Sequence, residues 1–345
     1  MLLRRALPKI TQATFSKRNY SILTSRTPIT FTVPIEPDMK RILAWANLAM
    51  KKFKGSDKIE VVQTDVAGTI QDPYCLAPIT ALLEIFSDLK ISKTDGLIKH
   101  IVDTMGQKKL TQIVDICRQP ERLSILKMSY PELNVEQIAE KIEGKLLEKL
   151  NTILPKNSKL TPYALQANQF LVQNDILIGA TSGYNSTSLN IALSFAKKAG
   201  MHFSAITASD EKDDTRLKLV QKNNSKLGFS DHDMHKVAVF TDAVSDVKSV
   251  RSHQHYPWIF GVSGYSTHNR ISSKKEAHTI DKAELAKRKL ETKKNLLLEG
   301  AHKVIHDLSE LPEMIVKTNF LLFNGKRPTG VTSDSFEEYT RNYKL

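Results

Sequence analysis

Five short apolar runs, most of them separated by helical patterns, constrain the fold more than any other feature of this sequence. The runs cover residues 59–64, 175–180, 203–207, 236–241 and 258–262. Helical patterns fill the spaces between the last four runs, at residues 188–199, 217–227 and 247–252. Strands that alternate with helices in this way indicate a parallel sheet with helices on both faces. The sequence therefore predicts an α/β fold built on a doubly wound parallel sheet.

The space between the first and second runs has a different character. Residues 76–166 alternate helical patterns with polar joints, and no convincing strand interrupts them. We interpret this segment as a helical cap domain. It is inserted into an α/β core made of residues 31–75 and 167–320.

Three further predictions concern the flanks of the core. The recurrence of apolar residues predicts a helix over residues 38–54. Residues 280–313 are expected to form one long charged helix whose lysines lie on a solvated face. Residues 321–345 are expected to be a C-terminal tail.

The first 30 residues differ in composition from the rest of the chain. They contain six basic residues and no acid, and the first acid is Glu36. A segment rich in Arg, Ser and Thr without carboxylates is typical of a mitochondrial transit peptide, and the residues around Tyr20 are similar to a matrix-processing site. The alternative is a disordered basic tail. We therefore expect residues 1–30 to be a transit peptide and the protein to reside in the mitochondrial matrix.

Composition excludes several classes of protein. The chain has 345 residues, and none of its windows approaches 18 uninterrupted apolar residues, so no membrane span is expected. The net charge is +13, but we find no basic motif interleaved with aromatic residues and therefore no nucleic-acid-binding motif. Two cysteines, Cys75 and Cys117, cannot form a disulfide framework or a metal cluster. They fit a reducing compartment.

Polar clusters follow three of the predicted strands. Asp65 follows the first run, Ser182 and Gly183 follow the second, and Asp242 and Asp246 follow the fourth. The carboxyl ends of parallel strands face one crevice, where ligands bind. Carboxylates gathered there repel each other unless a cation such as Mg²⁺ lies among them, and hydroxyl and backbone N–H groups suit phosphoryl oxygens. Each cluster alone could be a helix cap or a turn, but together they predict a phosphoryl-transfer site.

The motifs themselves sharpen this prediction. The stretch VVQTDVAGTIQDPYCLAPI, residues 61–79, resembles the opening of the phosphonoacetaldehyde hydrolase family of the haloacid dehalogenase superfamily, whose pattern is D-x-A-G-T followed by Cys-x-A-P. MGQKK, residues 105–109, is similar to the M-G-x-x-K segment of that family. IGATSGY, TDAVSD and EGAH are similar to three later segments. The resemblance covers about residues 59–310.

This resemblance implies a fold, a reaction and a set of site residues. The fold is a core like that of haloacid dehalogenases with an inserted helical cap. The reaction is cleavage of the P–C bond of phosphonoacetaldehyde, with Asp65 as the nucleophile and Lys109 as the Schiff-base lysine. Mg²⁺ would be held by Asp65, the Ala67 carbonyl and Asp242, with Asp246 in support. The substrate, a small phosphonate or phosphate, would contact Ser182, Gly183, Tyr184, Cys75, Met105 and Gly106. The resemblance leaves open whether the protein forms a homodimer.

The residue two positions after the nucleophile fits this reaction. Phosphatases of the superfamily have a second Asp there, which protonates the leaving oxygen, whereas this chain has Ala67. A phosphonate has no leaving oxygen, because its phosphorus is bonded to carbon. It needs an electron sink instead, and a protonated imine on a lysine supplies one.

The sequence also departs from the family pattern. Gln112 lies where the family has a histidine, and Val66 lies where it has a tryptophan. The G-R-P-x-P-W segment, whose arginine meets the phosphoryl group, is missing, and Arg216 or Lys212 could replace that cation. Two alternatives therefore stay open: a catalytically inactive relative that serves as a structural subunit of a mitochondrial assembly, and a hydrolase for a different phosphate or phosphonate.

Overall fold

A computed structural model describes residues 36–55, 57–105, 107–211 and 214–341. Its centre is a six-stranded sheet in the order β3-β2-β1-β4-β5-β6, in which every neighbouring pair is parallel. The strands are β1 Val61–Asp65, β2 Leu177–Ser182, β3 Ala205–Ala208, β4 Val237–Thr241, β5 Trp258–Val262 and β6 Lys303–Ile305. The strand order reverses at β1, which is the arrangement of doubly wound sheets. The predicted fold class is confirmed.

Helices cover both faces of this sheet. Those of the core are α1 Pro37–Met50, α7 Ala164–Gln173, α8 Ser186–Lys198, α9 Arg216–Lys226, α10 Val244–Arg251, α11 Lys274–Thr279, α12 Lys282–Leu298, α13 Leu311–Phe323 and α14 Ser333–Thr340. Successive strand residues point to opposite faces. Accordingly, Val61 packs with residues of α9, α10 and α12, and Val62 belongs to the larger apolar cluster on the other face.

Five helices of the described residues lie between β1 and the core helix α7, with no strand among them. They are α2 Leu76–Asp88, α3 Asp95–Asp103, α4 Lys109–Cys117, α5 Pro120–Ser129 and α6 Val135–Asn157. Helix α6 packs along α2 and α4 through Ile142, Leu146 and Leu150, which are buried at helical spacing. The two chain segments that connect these helices to the sheet run side by side. The Asp72 N–H donates to the Lys159 carbonyl at 2.9 Å.

The prediction of one long helix over residues 280–313 was wrong. Helix α12 ends at Leu298, Gly300 adopts a φ of +102°, and the chain then enters the short strand β6 beside β5 before α13 begins. The φ of Gly300 is one that other residues rarely adopt, so glycine favours this turn. A strand of three residues is too short for its periodicity to stand out within a charged helical pattern.

The remaining differences concern the ends of elements. Strand β2 starts at Leu177 and includes Ser182, whereas the prediction placed that serine after the strand. The segment 321–345, expected to be a tail, contains the end of α13 and helix α14. In α14, Phe336 is buried and contacts the rings of Trp258 and Phe260.

The predicted transit peptide, residues 1–30, lies outside the described residues. None of the helices within the described ranges combines the length and the apolarity needed to cross a bilayer.

Candidate active site

Two buried carboxylates lie at the carboxyl end of the sheet. Asp65 is the last residue of β1, and Asp242 directly follows β4, the neighbouring strand. They line a cavity of about 60 Å³ together with Ser182 from β2. Burial raises the pKa of Asp65 to about 6, with Arg216 opposing this shift. Burial, and next the charge of Asp65, raise the pKa of Asp242 well above its usual range. The pair therefore has a strong affinity for positive charge.

Arg216 supplies positive charge to this cluster. Its Nη2 lies 2.7 Å from Oδ1 of Asp65 and 2.8 Å from Oδ2 of Asp246. Its Nη1 donates to Oγ1 of Thr181 at 2.8 Å. Burial alone would lower the pKa of the guanidinium, but Asp246 and Asp65 raise it above its usual value. The sequence analysis named Arg216 and Lys212 as candidates for this cation. The structure places Arg216 beside Asp65, and Lys212 lies outside the described residues.

The position of Arg216 follows from a buried polar network under helix α9. Arg216 is the first residue of this helix, which Thr215 caps. Two turns on, the side chain of Asn223 donates to Oε1 of Gln63 at 2.8 Å, and Gln63 in turn donates to Asn224 at 2.6 Å. All these amides are buried, so a shift of α9 along β1 would leave at least one of them without a hydrogen-bond partner and would cost folding free energy. The network therefore fixes the register of α9 against β1. Gln63 interrupts the apolar run of β1, and this was the only sequence signal for the network.

The loop after β1 brings backbone close to Asp242. Gly68 has a φ of +77°, and a Cβ there would lie 2.4 Å from Oδ2 of Asp242. The backbone N–H of Thr267 donates to the same oxygen at 2.9 Å, and Thr69 approaches the other oxygen at 3.5 Å. Thr267 lies after β5, in a polar run that sequence reasoning missed. The run SGYSTHN, residues 263–269, directly after an apolar strand was the signal available.

The predicted substrate-binding residues of β2 and its loop lie at the same cavity. The Ser182 hydroxyl accepts from the Tyr184 backbone N–H at 3.2 Å, and Gly183 is exposed at the rim. The ring of Tyr184 is buried, and its hydroxyl has no hydrogen-bond partner among the described residues. Burial raises the pKa of Tyr184 well above its usual value, so the phenol stays protonated. Helix α8 begins two residues later, capped by Asn185.

Helix α4 brings Lys109 to the opposite wall of the cavity. Lys109 is the first residue of α4, and its Nζ lies 3.1 Å from Oε1 of Gln112 and 3.8 Å from Sδ of Met105. Burial lowers the pKa of Lys109, and the negative charge of the Asp65 carboxylate acts against this shift. Lys108 is exposed. From the sequence, either burial or the adjacent charge of Lys108 could lower the pKa of Lys109. The structure indicates that burial is the main cause.

Cys75 and Met105 complete the wall beside Lys109. Both side chains are buried and line the cavity. Burial, and next the charge of Asp242, raise the pKa of Cys75 well above its usual value, so it is a thiol at neutral pH. Gly106, the remaining predicted contact, lies outside the described residues. Lys109, Asp65, Ser182 and the two wall residues thus meet around one cavity although they come from distant parts of the chain.

This arrangement combines a carboxylate, a cation and an amine. Asp65 presents the carboxylate, Arg216 neutralises negative charge beside it, and Lys109 presents an amine whose pKa is lowered. Ala67 lines the same cavity and provides no acid there. Such a site can attack phosphorus and can condense with a carbonyl group.

The chain resembles curated proteins over three quarters of its length. It is 25% identical over 258 residues to "Phosphonoacetaldehyde hydrolase" of Bacillus cytotoxicus, covering 75% of this chain and 96% of that protein. It is 26% identical over 268 residues to the protein of the same name of Parabacteroides distasonis, covering 76% and 97%. It is 27% identical over 271 residues to "Bifunctional phosphonoacetaldehyde hydrolase/aminoethylphosphonate transaminase" of Clostridioides difficile, of which it spans 41%. No protein-family model matches the chain.

Solved structures share the fold. A phosphonoacetaldehyde hydrolase-like protein from Oleispira antarctica superposes with a TM-score of 0.70 at 20% identity, over 79% of this chain and 97% of that one. A predicted phosphatase from Clostridium acetobutylicum superposes with a TM-score of 0.53 at 16% identity, over 75% and 99%. The resemblance to phosphonoacetaldehyde hydrolases that was inferred from the motifs is therefore confirmed, and the solved structures have the same fold as this chain.

Proposed function

We propose that this homologue of haloacid dehalogenase-superfamily hydrolases cleaves the P–C bond of phosphonoacetaldehyde, giving acetaldehyde and phosphate. The observation that carries the proposal is the position of Lys109, which shares one small cavity with Asp65. A lysine with a lowered pKa has no use in the hydrolysis of a phosphomonoester. It is needed when an aldehyde must be activated. The names of the relatives support the same substrate.

In the proposed reaction, the Lys109 amine adds to the aldehyde carbon and water leaves, which gives a protonated imine. Asp65 then attacks phosphorus, and the P–C bond breaks with its electron pair moving to the imine nitrogen. The products are an aspartyl phosphate on Asp65 and an enamine on Lys109. Water then hydrolyses this acyl phosphate, which releases phosphate and restores the Asp65 carboxylate. The enamine gains a proton at carbon, and a second water molecule releases acetaldehyde from Lys109.

The other cavity residues take supporting roles in this proposal. Arg216 balances the negative charge of the phosphoryl group and of Asp65, because it already holds that carboxylate at 2.7 Å. The Ser182 hydroxyl and the backbone of Gly183 would contact the phosphoryl oxygens, because both residues line the cavity. Cys75 and Met105 exclude water from the imine.

A Mg²⁺ ion fits the acidic end of the cavity. Asp65 and Asp242 are both buried at this end, and burial and next the charge of Asp65 raise the pKa of Asp242. Within the described ranges, no three His, Cys, Asp or Glu side chains are arranged to hold a metal. The proposed ligands are therefore Asp65, Asp242 and the Ala67 carbonyl, completed by water, with Asp246 in support through Arg216. When bound, the ion would neutralise charge on the transferring phosphoryl group.

The inactive-subunit alternative loses its main support. It rested on the absent cation motif, on Gln112 and on the basic C-terminal helix. Arg216 donates to Asp65 at 2.7 Å, which supports the view that another cation replaces the one in the absent motif. A hydrolase for another phosphonate with a carbonyl group is compatible with the same residues. The experiment below separates these possibilities.

Borohydride trapping tests the proposal. The protein without its first 20 residues is incubated with phosphonoacetaldehyde, Mg²⁺ and sodium borohydride, and the adduct is mapped by mass spectrometry beside a phosphate-release assay. We expect a reduced adduct on Lys109 together with phosphate release. Lys109→Arg should abolish both, whereas Lys108→Ala, which changes the exposed neighbour, should leave both intact. Neither adduct nor phosphate from the folded protein would refute the proposal.

Asp65→Asn separates the two half-reactions. This variant keeps the lysine and removes the nucleophile, so it should form the Lys109 adduct but release no phosphate. Phosphate release at the original rate would refute the assignment of Asp65 as nucleophile.

We also propose that the protein acts in the mitochondrial matrix, on the basic and acid-free composition of residues 1–30. The full chain should enter isolated mitochondria only when they hold a membrane potential, and should be cut after Tyr20. A chain that stays outside and uncut would contradict this localisation.

A further inference from the structure

Gln112 is fully buried on α4, one turn after Lys109, and its amide has a partner for each polar group. Its Nε2 donates to the carbonyl oxygen of Ile101 at 2.8 Å and contacts Sδ of Met105 at 3.2 Å. An amide has two N–H donors, so these two contacts use both of them. The oxygen Oε1 is therefore directed toward Lys109, whose Nζ lies 3.1 Å away.

The Gln112 amide differs in kind from the other groups around this amine. It carries no charge and exchanges no proton near neutral pH. The titratable groups that act on the amine from other elements belong to Asp65, Asp246, Glu143 and Cys75. Gln112 is thus a neutral acceptor whose direction is set by the fold, because Ile101 belongs to α3 and the amide links that helix to α4.

We propose that Gln112 is a positioning residue that holds the Lys109 amine before it condenses with a carbonyl group and accepts the N–H of the resulting imine. This inference rests on the proposed function. A neutral amine that donates one N–H to Oε1 keeps its lone pair available for the carbonyl carbon. After water leaves, the protonated imine has a single N–H, and Oε1 is the acceptor already in place for it.

The same acceptor serves the next step. When the P–C bond breaks, its electron pair moves to the imine nitrogen, and the enamine keeps the same N–H. Gln112 gains and loses no proton in this sequence. The proton that the enamine takes up at carbon therefore comes from another group or from water.

Two near-isosteric substitutions distinguish positioning from packing. Gln112→Met keeps the length of the side chain and removes the acceptor. Because the acceptor stabilises the ammonium form, its loss should lower the pKa of Lys109. Gln112→Glu places a carboxylate at the same distance and should raise that pKa. A side chain that only packs would give no shift, or shifts unrelated to the charge of the substitution.

The first measurement needs no substrate. Lys109 is acetylated with a trace of acetic anhydride between pH 6 and 11, and the labelled peptide is quantified by mass spectrometry. A Lys108→Ala background ensures that the peptide reports one amine. Relative to the parent, we expect the inflection of labelling to move to lower pH in Gln112→Met and to higher pH, by about one unit or more, in Gln112→Glu. Gln173→Glu, an exposed position on α7, is the matched charge control and should not move it.

The second measurement uses phosphonoacetaldehyde. Borohydride trapping and phosphate release should fall roughly tenfold to a hundredfold in Gln112→Met, the loss expected for one hydrogen bond to a charged group. The loss should appear in kcat more than in KM. Trapping in Gln112→Glu should recover at high pH. Unfolding temperatures of all variants show whether the fold is kept.

Inflections that stay at the parent pH in both folded variants, or that move in the same direction, would overturn the inference. The labelling result is independent of the proposed function. If the unaltered protein forms no adduct with phosphonoacetaldehyde, the proposed function fails, and the labelling shifts still decide whether Gln112 holds the amine.

Discussion

Replacement of Arg216 by methionine tests how the charges of the cavity are balanced. The side chain of Arg216 is 7% exposed and pairs with two carboxylates, Asp65 and Asp246, whose side chains are 9% and 4% exposed. Removal of one partner of a buried ion pair costs about 3–5 kcal/mol, since it leaves a buried charge uncompensated. We therefore expect Arg216→Met to lose about 3–5 kcal/mol of unfolding free energy at pH 8. The measurement is urea unfolding in the presence of a chelator, so that no divalent cation replaces the arginine.

The pH dependence of this loss has a definite sign. The pKa of Asp65 is already raised to about 6 with the arginine present, and it should rise further without it. A carboxyl whose pKa is higher in the folded than in the unfolded state gains stability as the pH falls and loses it as the pH rises through the folded pKa. The deficit of Arg216→Met should therefore be largest above pH 7 and smaller at pH 5, where Asp65 takes up a proton.

Two controls bracket the result. Arg216→Lys keeps the positive charge, but an ammonium group lacks the planar guanidinium that contacts Asp65, Asp246 and Thr181 together. Its loss of unfolding free energy should therefore lie between that of the parent and that of Arg216→Met. Arg118→Met removes an exposed arginine that pairs with Glu136 at 3.0 Å, and should leave the unfolding free energy almost unchanged because solvent screens this pair. If phosphate is released as proposed, Arg216→Met should also lower its rate about 10²–10³-fold. An Arg216→Met variant as stable as the parent at pH 8, with the same pH dependence, would refute the reasoning.

Three further predictions concern other parts of the molecule. Gly68→Ala should lose about 1–3 kcal/mol in thermal unfolding and most of the phosphate release, because its φ of +77° is strained for alanine and the added Cβ would meet Asp242; parent-like values for both would contradict this. Burial lowers the pKa of His302 from 6.5 to about 4, so unfolding free energy should fall by about 3 kcal/mol as the pH drops from 6.5 to 4, and His302→Gln should flatten that slope. Phe336→Ala should cost about 3–5 kcal/mol in urea unfolding if α14 is part of the core, and almost nothing if it is a detachable tail.

Much of the site could be predicted from the sequence because its residues follow strands. Asp65 ends β1 and Asp242 follows β4, and parallel strands present their carboxyl ends to one crevice whatever the details of packing. The absence of an acid at Ala67 and the segment that ends in Lys109 indicated the kind of reaction by resemblance. These signals are local, since each is contained in a stretch of a few residues.

The elements that were missed lack a local signal of this kind. Strand β6 has three residues, and it is a strand because it pairs with β5, about 40 residues earlier in the chain. Helix α14 is short and mostly polar, and its attachment to the core includes the burial of Phe336 against Trp258 and Phe260. Tertiary contacts decided both elements, because they bury surface that the segment alone cannot bury.

Tertiary contacts also decide which cation lies beside Asp65 and which side chain contacts Lys109. The sequence determined a parallel α/β fold, an acidic crevice and a lysine in the inserted helices. It left Arg216 and Lys212 as equal candidates and gave Gln112 no role. Arg216 reaches Asp65 because amides buried under α9 fix that helix against β1, 151 residues away in sequence. Gln112 faces Lys109 because Ile101 and Met105 take both of its N–H groups. A sequence pattern shows which groups are present, but the direction of a buried hydrogen bond depends on every partner that the fold brings to it.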